Sequence, residues 1–111
     1  MKNLFNIIAA FSLFVAVTVF ATPTGHFTVD NNYDGQIGMV QVNTDSGTFH
    51  VYVPDQGEFT IPVPSQASSV VINSYIVFQG YAGTAKLPNG DVVKVSWESP
   101  SIIVIDPSEN N

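Results

Sequence analysis

Apolar and polar residues alternate with a period of two along short stretches of this chain, each ended by turn formers, and that pattern predicts strands. Phe27 and Val29 alternate with polar neighbours; Phe49, Val51 and Val53 line one side of a run, with Thr48, His50 and Tyr52 on the other. The same step sets Phe59, Ile61 and Val63 against Glu58, Thr60 and Pro62, and Val93, Val95 and Trp97 against Lys94 and Ser96. Residues 37–42 change phase, from Ile37 and Met39 to Val40 and Val42, which predicts a bulge or burial on both faces. Beyond Ala21, the most apolar run is 70–78, which predicts a central strand, broken near Asn73 and Ser74. A weaker strand is expected over 81–87 and a last one over 102–105, with the polar tail from Asp106 fraying.

Turn chemistry sets the boundaries. Asp45-Ser46-Gly47 predicts a tight hairpin with glycine at a positive φ, Pro54-Asp55-Gln56-Gly57 a second turn, and Pro88-Asn89-Gly90-Asp91 a third. Pro62 has no N–H for a ladder, so its strand belongs at a sheet edge. Seven or eight short strands with turns every ~8 to 12 residues and no helical period predict an all-β, antiparallel β-sandwich, immunoglobulin-like in the broad architectural sense. Its expected core is Phe27, Val40, Val42, Phe49, Val51, Phe59, Ile61, Val71, Val77, Val93, Val95, Trp97, Ile103 and Ile105.

The segment from Met1 to Ala21 follows a different pattern. A cationic start containing Lys2, an apolar run over residues 4–20, and Val19 and Ala21 before a usable cut read as a cleaved signal peptide. An uncleaved anchor competes, since 17 apolar positions approach the ~17 to 25 that span a bilayer, but Asn6, Ser12 and Thr18 interrupt the run. The expected organisation is signal peptide 1–21, flexible lead-in 22–25, β-sandwich 26–106 and disordered tail 107–111.

Composition then narrows the setting. The chain has no cysteine, which excludes a disulfide scaffold and a lipoprotein acylation site, and leans towards a bacterial, periplasmic or secreted protein. Without the leader, two lysines face nine acidic residues, a net charge of −7. That balance argues against nucleic acid and anionic membranes as partners and is compatible with cation binding. After cleavage no stable membrane insertion is expected.

Residues 55–64, reading Asp-Gln-Gly-Glu-Phe-Thr-Ile-Pro-Val-Pro, precede Val70-Val71-Ile72 and then Gly80-Tyr81. Together these residues resemble the repeat core of carboxypeptidase-regulatory-like domains, whose pattern is an Asp-x-x-Gly-x-Phe turn and strand, an apolar strand and a Gly-Tyr. The resemblance covers about a quarter of the chain and departs from the family upstream, over residues 38–53. It implies a transthyretin-like β-sandwich and a non-catalytic module.

The sharpest chemical motif is Asp30, Asn32 and Asp34 followed by Gly35, the start of a calcium loop of the EF-hand or dockerin kind. Oxygens at alternate positions can converge on a hard cation, Gln36 would add a backbone carbonyl, and the glycine permits the bend. The twelfth position is Gln41 in place of a bidentate carboxylate, and the flanks are strand-like, so an ordinary EF-hand is excluded. What remains is a weak calcium loop on a β scaffold, or simply a turn built from Asn, Asp and Gly.

Other chemistry is sparse. His26 and His50 stand far apart in the chain with no partner at metal-ligand spacing. Glu58 and Glu98 form a conceivable glycosidase pair, but so small a sandwich offers little cleft. Tyr52, Tyr75, Tyr81 and Trp97 can make a contact face for protein or carbohydrate at the cell surface, or fill the core. The apolar, uncharged runs 70–78 and 101–105 suit self-association through strands, or burial at the centre of a sheet. The expected function is an exported non-enzymatic module acting by binding or assembly. The alternatives are a calcium-stabilised adhesion or matrix module and a small secreted hydrolase or enzyme inhibitor.

Overall fold

A computed structural model describes residues 25–108, and the expected signal peptide lies outside them. Nine strands form two sheets among the described residues, one more than the upper sequence expectation, and no helix intervenes. They are β1 (Gly25–Asn31), β2 (Gly38–Thr44), β3 (Gly47–Val53), β4 (Gly57–Val63), β5 (Ala67–Ile72), β6 (Tyr75–Phe78), β7 (Gly83–Lys86), β8 (Val92–Ser99) and β9 (Ile102–Pro107). One sheet has five strands in the order β4-β1-β9-β8-β7; the other has four, β3-β2-β5-β6. Their apolar sides share one core, the arrangement of a β-sandwich.

The added strand comes from the run over 70–78. Asn73 and Ser74 both adopt positive φ, 48° and 74°, and turn the chain through a two-residue hairpin that pairs Ile72 with Tyr75. Consequently β5 is central, between β2 and β6, while β6 is an edge strand. The sheets are also not purely antiparallel: β1 and β9 run parallel, Val29 opposite Ile103. The ordered sheet begins and ends one residue beyond the expected 26–106, and Asp106, expected to fray, sits in β9 and accepts a hydrogen bond from Asn32 Nδ2 (2.9 Å).

Turn glycines behave as their positions demand. Gly47, Gly57 and Gly90 have φ of 140°, 140° and 98°, values that L side chains rarely adopt. Gly38, at φ 94°, explains the change of phase after Ile37: both Ile37 and Val40 face the core, and Met39 faces out. Pro62 lies in β4, an edge strand, where a missing N–H leaves no gap in the interior of the sheet.

Phe27, Val40, Val42, Val51, Val77, Val93, Val95, Ile103 and Ile105 are buried as expected. Phe49, Phe59, Ile61 and Trp97 pack against that core from partly exposed positions, three of them on the edge strands β3 and β4. Phe27 and Trp97 meet edge to face, ring centroids 5.7 Å apart. Val71 is the correction: it pairs with Gln41 on the outer side of β5, and its neighbours Val70 and Ile72 fill the interior. A run apolar at both phases carries no signal of which phase faces in.

Candidate functional site

The loop between β1 and β2 is built around Asn31. Its side chain is the inward one at the end of β1, 1% exposed, where the alternation would place an apolar residue. Its Oδ1 accepts from Tyr33 N–H (3.0 Å), closing an Asx turn, and its Nδ2 donates to the carbonyls of Gly35 (3.2 Å) and Asp55 (2.9 Å). Asn32 N–H donates to Ile105 C=O and Gln56 Nε2 to Asn32 C=O, so the loop is tied to β9 and to the turn between β3 and β4.

Tyr33 ties the same loop to the turn between β7 and β8. It is buried, its hydroxyl donates to Asp91 Oδ2, and Asn89 Nδ2 donates to that hydroxyl (3.2 Å). The ring lies over Gly35, where a Cβ would come within 2.7 Å of Tyr33 Cε2. Gly35 is therefore required by the tyrosine packed on it. A cavity of about 410 Å³ opens beside this contact, lined by residues 33–38 and 87–89.

The hydrogen bond to Asp91 holds the Tyr33 phenol above its ordinary value of 10.0, with burial and the Asp91 and Asp34 charges adding to the rise and Asn89 opposing it. A raised folded value means that the protonated form is the one the fold favours. Its stabilisation is fully present below the unfolded tyrosine pKa and is lost as pH rises through the folded one. Melting temperature should therefore fall more steeply above about pH 10 in the native protein than in Tyr33→Phe. Identical alkaline limbs in the two proteins would refute the assignment.

The four residues of the calcium motif are distributed around this loop. Asp30 lies within β1, opposite Glu58 of β4; Asn32 is bonded to Asp106 of the five-stranded sheet; Gln36 donates to the Tyr52 hydroxyl of the four-stranded sheet (2.8 Å); Asp34 is exposed. The structure thus takes the amides of Asn32 and Gln36 to opposite sheets, and the loop's organising side chain is Asn31, outside the motif. Gln41, the twelfth position, lies within β2 with its amide on Asn43 Oδ1. No group of three or more His, Cys, Asp or Glu side chains able to hold a metal occurs among the described residues.

Glu58 on β4 and Glu98 on β8 are separated by β1 and β9. Three strand spacings put their backbones ~14 Å apart. His26 and His50 are exposed on different sheets. Trp97 Nε1 and Ser65 Oγ are buried with no hydrogen-bond partner among the described residues.

The two sheets differ in charge. Asp30, Glu58, Lys86, Lys94, Glu98 and Asp106 all lie in strands of the five-stranded sheet. The strands of the four-stranded sheet carry no Asp, Glu, Lys or Arg, and His50 is their one titratable group apart from tyrosines. On the outside of that sheet Met39 (55% exposed), Tyr52 (51%), Ile76 (56%) and Phe78 (60%) stand in water. Sequence alternation marked Tyr52 as outward, but the apolar run 70–78 hid Ile76 and Phe78, whose exposure depends on the hairpin. Between these side chains lie Gln41, Asn43 and Ser69, with Asn43 Nδ2 donating to Ser69 Oγ (2.9 Å).

Comparison of the chain with family models, with curated proteins and with solved structures finds no match. The fold and surface alone thus define the class, a two-sheet all-β protein with one charged and one uncharged sheet.

Proposed function

We propose that this protein is an exported, non-enzymatic β-sandwich module, immunoglobulin-like in broad architecture, that acts by binding or assembly in the periplasm or outside the cell. The observation that carries the reading is the segregation of charge: the outer face of the four-stranded sheet exposes Met39, Tyr52, Ile76 and Phe78 with no Asp, Glu, Lys or Arg in its strands. Large exposed apolar groups gathered on one face and interspersed with neutral polar groups are the composition of a contact surface. Amides and hydroxyls there stay hydrated at little cost until a partner displaces the water, whereas buried charges would oppose docking. The leader-like segment from Met1 to Ala21 and the lack of cysteine support export. The likeness of residues 55–81 to carboxypeptidase-regulatory-like domains supports a non-catalytic role.

Carbene footprinting tests the reading. In the cells or medium that produce the protein, labelling of Met39, Tyr52, Ile76 and Phe78 should drop several-fold relative to dilute purified protein, while Lys94 and Glu98 on the other sheet stay unchanged. Equal labelling of both sheets in both settings would sink it.

A further inference from the structure

We infer that the β6 edge of this sheet pairs with the β6 edge of a second copy of the chain, antiparallel and two-fold, centred on Ile76. The inference rests on the binding-or-assembly reading above and adds a self-contact at the edge of the same sheet. Its first support is the outward backbone of β6, whose sheet has no further strand beyond it among the described residues. A two-residue hairpin closes on a hydrogen-bonded pair, here Ile72 and Tyr75, and such pairs then alternate along an antiparallel ladder. Val70 and Val77 are the next bonded pair, and Gln79 N–H donating to Ser68 C=O (2.8 Å) continues the series. Ile76 and Phe78 fall between, so their N–H and C=O groups point away from β5, towards the open side of the sheet.

Phe78 C=O already accepts from Tyr81 N–H (3.0 Å). Ile76 is thus the β6 residue that offers both a donor and an acceptor outward. An antiparallel pair centred on a single residue uses those two groups reciprocally: each Ile76 N–H donates to the other copy's Ile76 C=O. Centring on Val77 would instead route the bonds through Phe78 C=O, which is taken.

Charge gives the second support. Residues 59–85 contain no Asp, Glu, Lys or Arg, within a chain of net charge −6. A basic partner would be drawn to the carboxylates of the other sheet; a surface that meets β6 without leaving a charge unpaired must itself be neutral, and a second β6 is. Lysine, proline and bulges often blunt native edges, and Tyr75–Phe78 has none of the three; its four residues keep any pairing short. The pairing joins two four-stranded sheets into one of eight strands and brings Ile76 and Phe78 of both copies onto a common face. The apolar surface offered by Tyr75, Ile76 and Phe78 is roughly 300 Å² per copy, taking ~150–250 Å² for a wholly exposed large side chain. That is below the ~800 Å² per partner of a standard interface, so the dimer is weak, reversible and strongly dependent on concentration.

Sedimentation velocity of the purified protein from micromolar to millimolar concentration tests the pairing. The native protein should shift from monomer to dimer, and Ile76→Lys should weaken the dimer at least about tenfold, while Thr60→Lys, the same charge on the edge strand β4, should leave it unchanged. Ile76 is exposed, so near-ultraviolet circular dichroism of Ile76→Lys should match the native spectrum. An independent readout uses the cysteine-free background: Ile76→Cys should oxidise to a disulfide-linked dimer much faster than Thr60→Cys. A dimer that survives Ile76→Lys and is lost in Tyr52→Lys overturns the edge pairing and leaves the face reading standing. A monomer at every concentration overturns the second copy as partner, and footprint protection in the producing cells would then still support the face.

Discussion

Phe27→Ala should cost about 3–5 kcal/mol, the largest loss expected from a single side chain in this domain. Phe27 has no exposure to solvent, lies in β1 between β4 and β9, and packs edge to face on Trp97. Truncation removes the transfer free energy of the ring and leaves a void that the surrounding strands, held by their ladders, close only in part. A domain of this size has on the order of 4–13 kcal/mol of total stability, and no disulfide limits its unfolded state. The variant should lose most of its cooperative thermal transition, or melt roughly 12–40 °C lower, at about 4–8 °C per kcal/mol. A shift below about 5 °C in calorimetry would mean that the site collapses around the alanine.

Asn31→Ala should cost about 2–4 kcal/mol for a different reason. The side chain is buried and makes three hydrogen bonds, to Tyr33 N–H, Gly35 C=O and Asp55 C=O. Alanine leaves one donor and two acceptors without partners near the core, and an unmade buried bond costs more than a made one contributes. Asn31→Asp discriminates sharply: a carboxylate can still accept from Tyr33 N–H but faces the two carbonyls with no proton to donate. It should be at least as destabilising as alanine near neutral pH and should recover part of the loss in acid, where the carboxyl regains a donor. Urea denaturation of both variants across pH reads this directly; equal stability of Asn31→Asp and the native protein would show that the Nδ2 bonds contribute nothing.

Much of the architecture was legible in local patterns. Alternation assigned the inward faces of β1, β3, β4 and β8, and turn chemistry placed the glycines that take positive φ at Gly47, Gly57 and Gly90. The edge position of β4 followed from Pro62 alone. These features are local, because a residue's face and its turn preference depend on its own backbone and immediate neighbours. The motif Asp30, Asn32, Asp34 was legible as spacing only; where the amides of Asn32 and Gln36 bond depends on β9 and β3, which are remote in sequence.

By itself, then, the sequence determined that the domain is built of strands, which side of most of them turns inward, and where the chain reverses. Tertiary structure decided which strands lie side by side: the parallel pairing of β1 with β9, the edge position of β6, and the gathering of every strand charge onto one sheet. Alternation tells a strand which face to bury but names no neighbour, and neighbours are chosen by which distant segments fill the core together once their loops close. The uncharged face with Ile76 and Phe78 in water therefore exists only in the assembled fold, although every residue in it was in view along the chain.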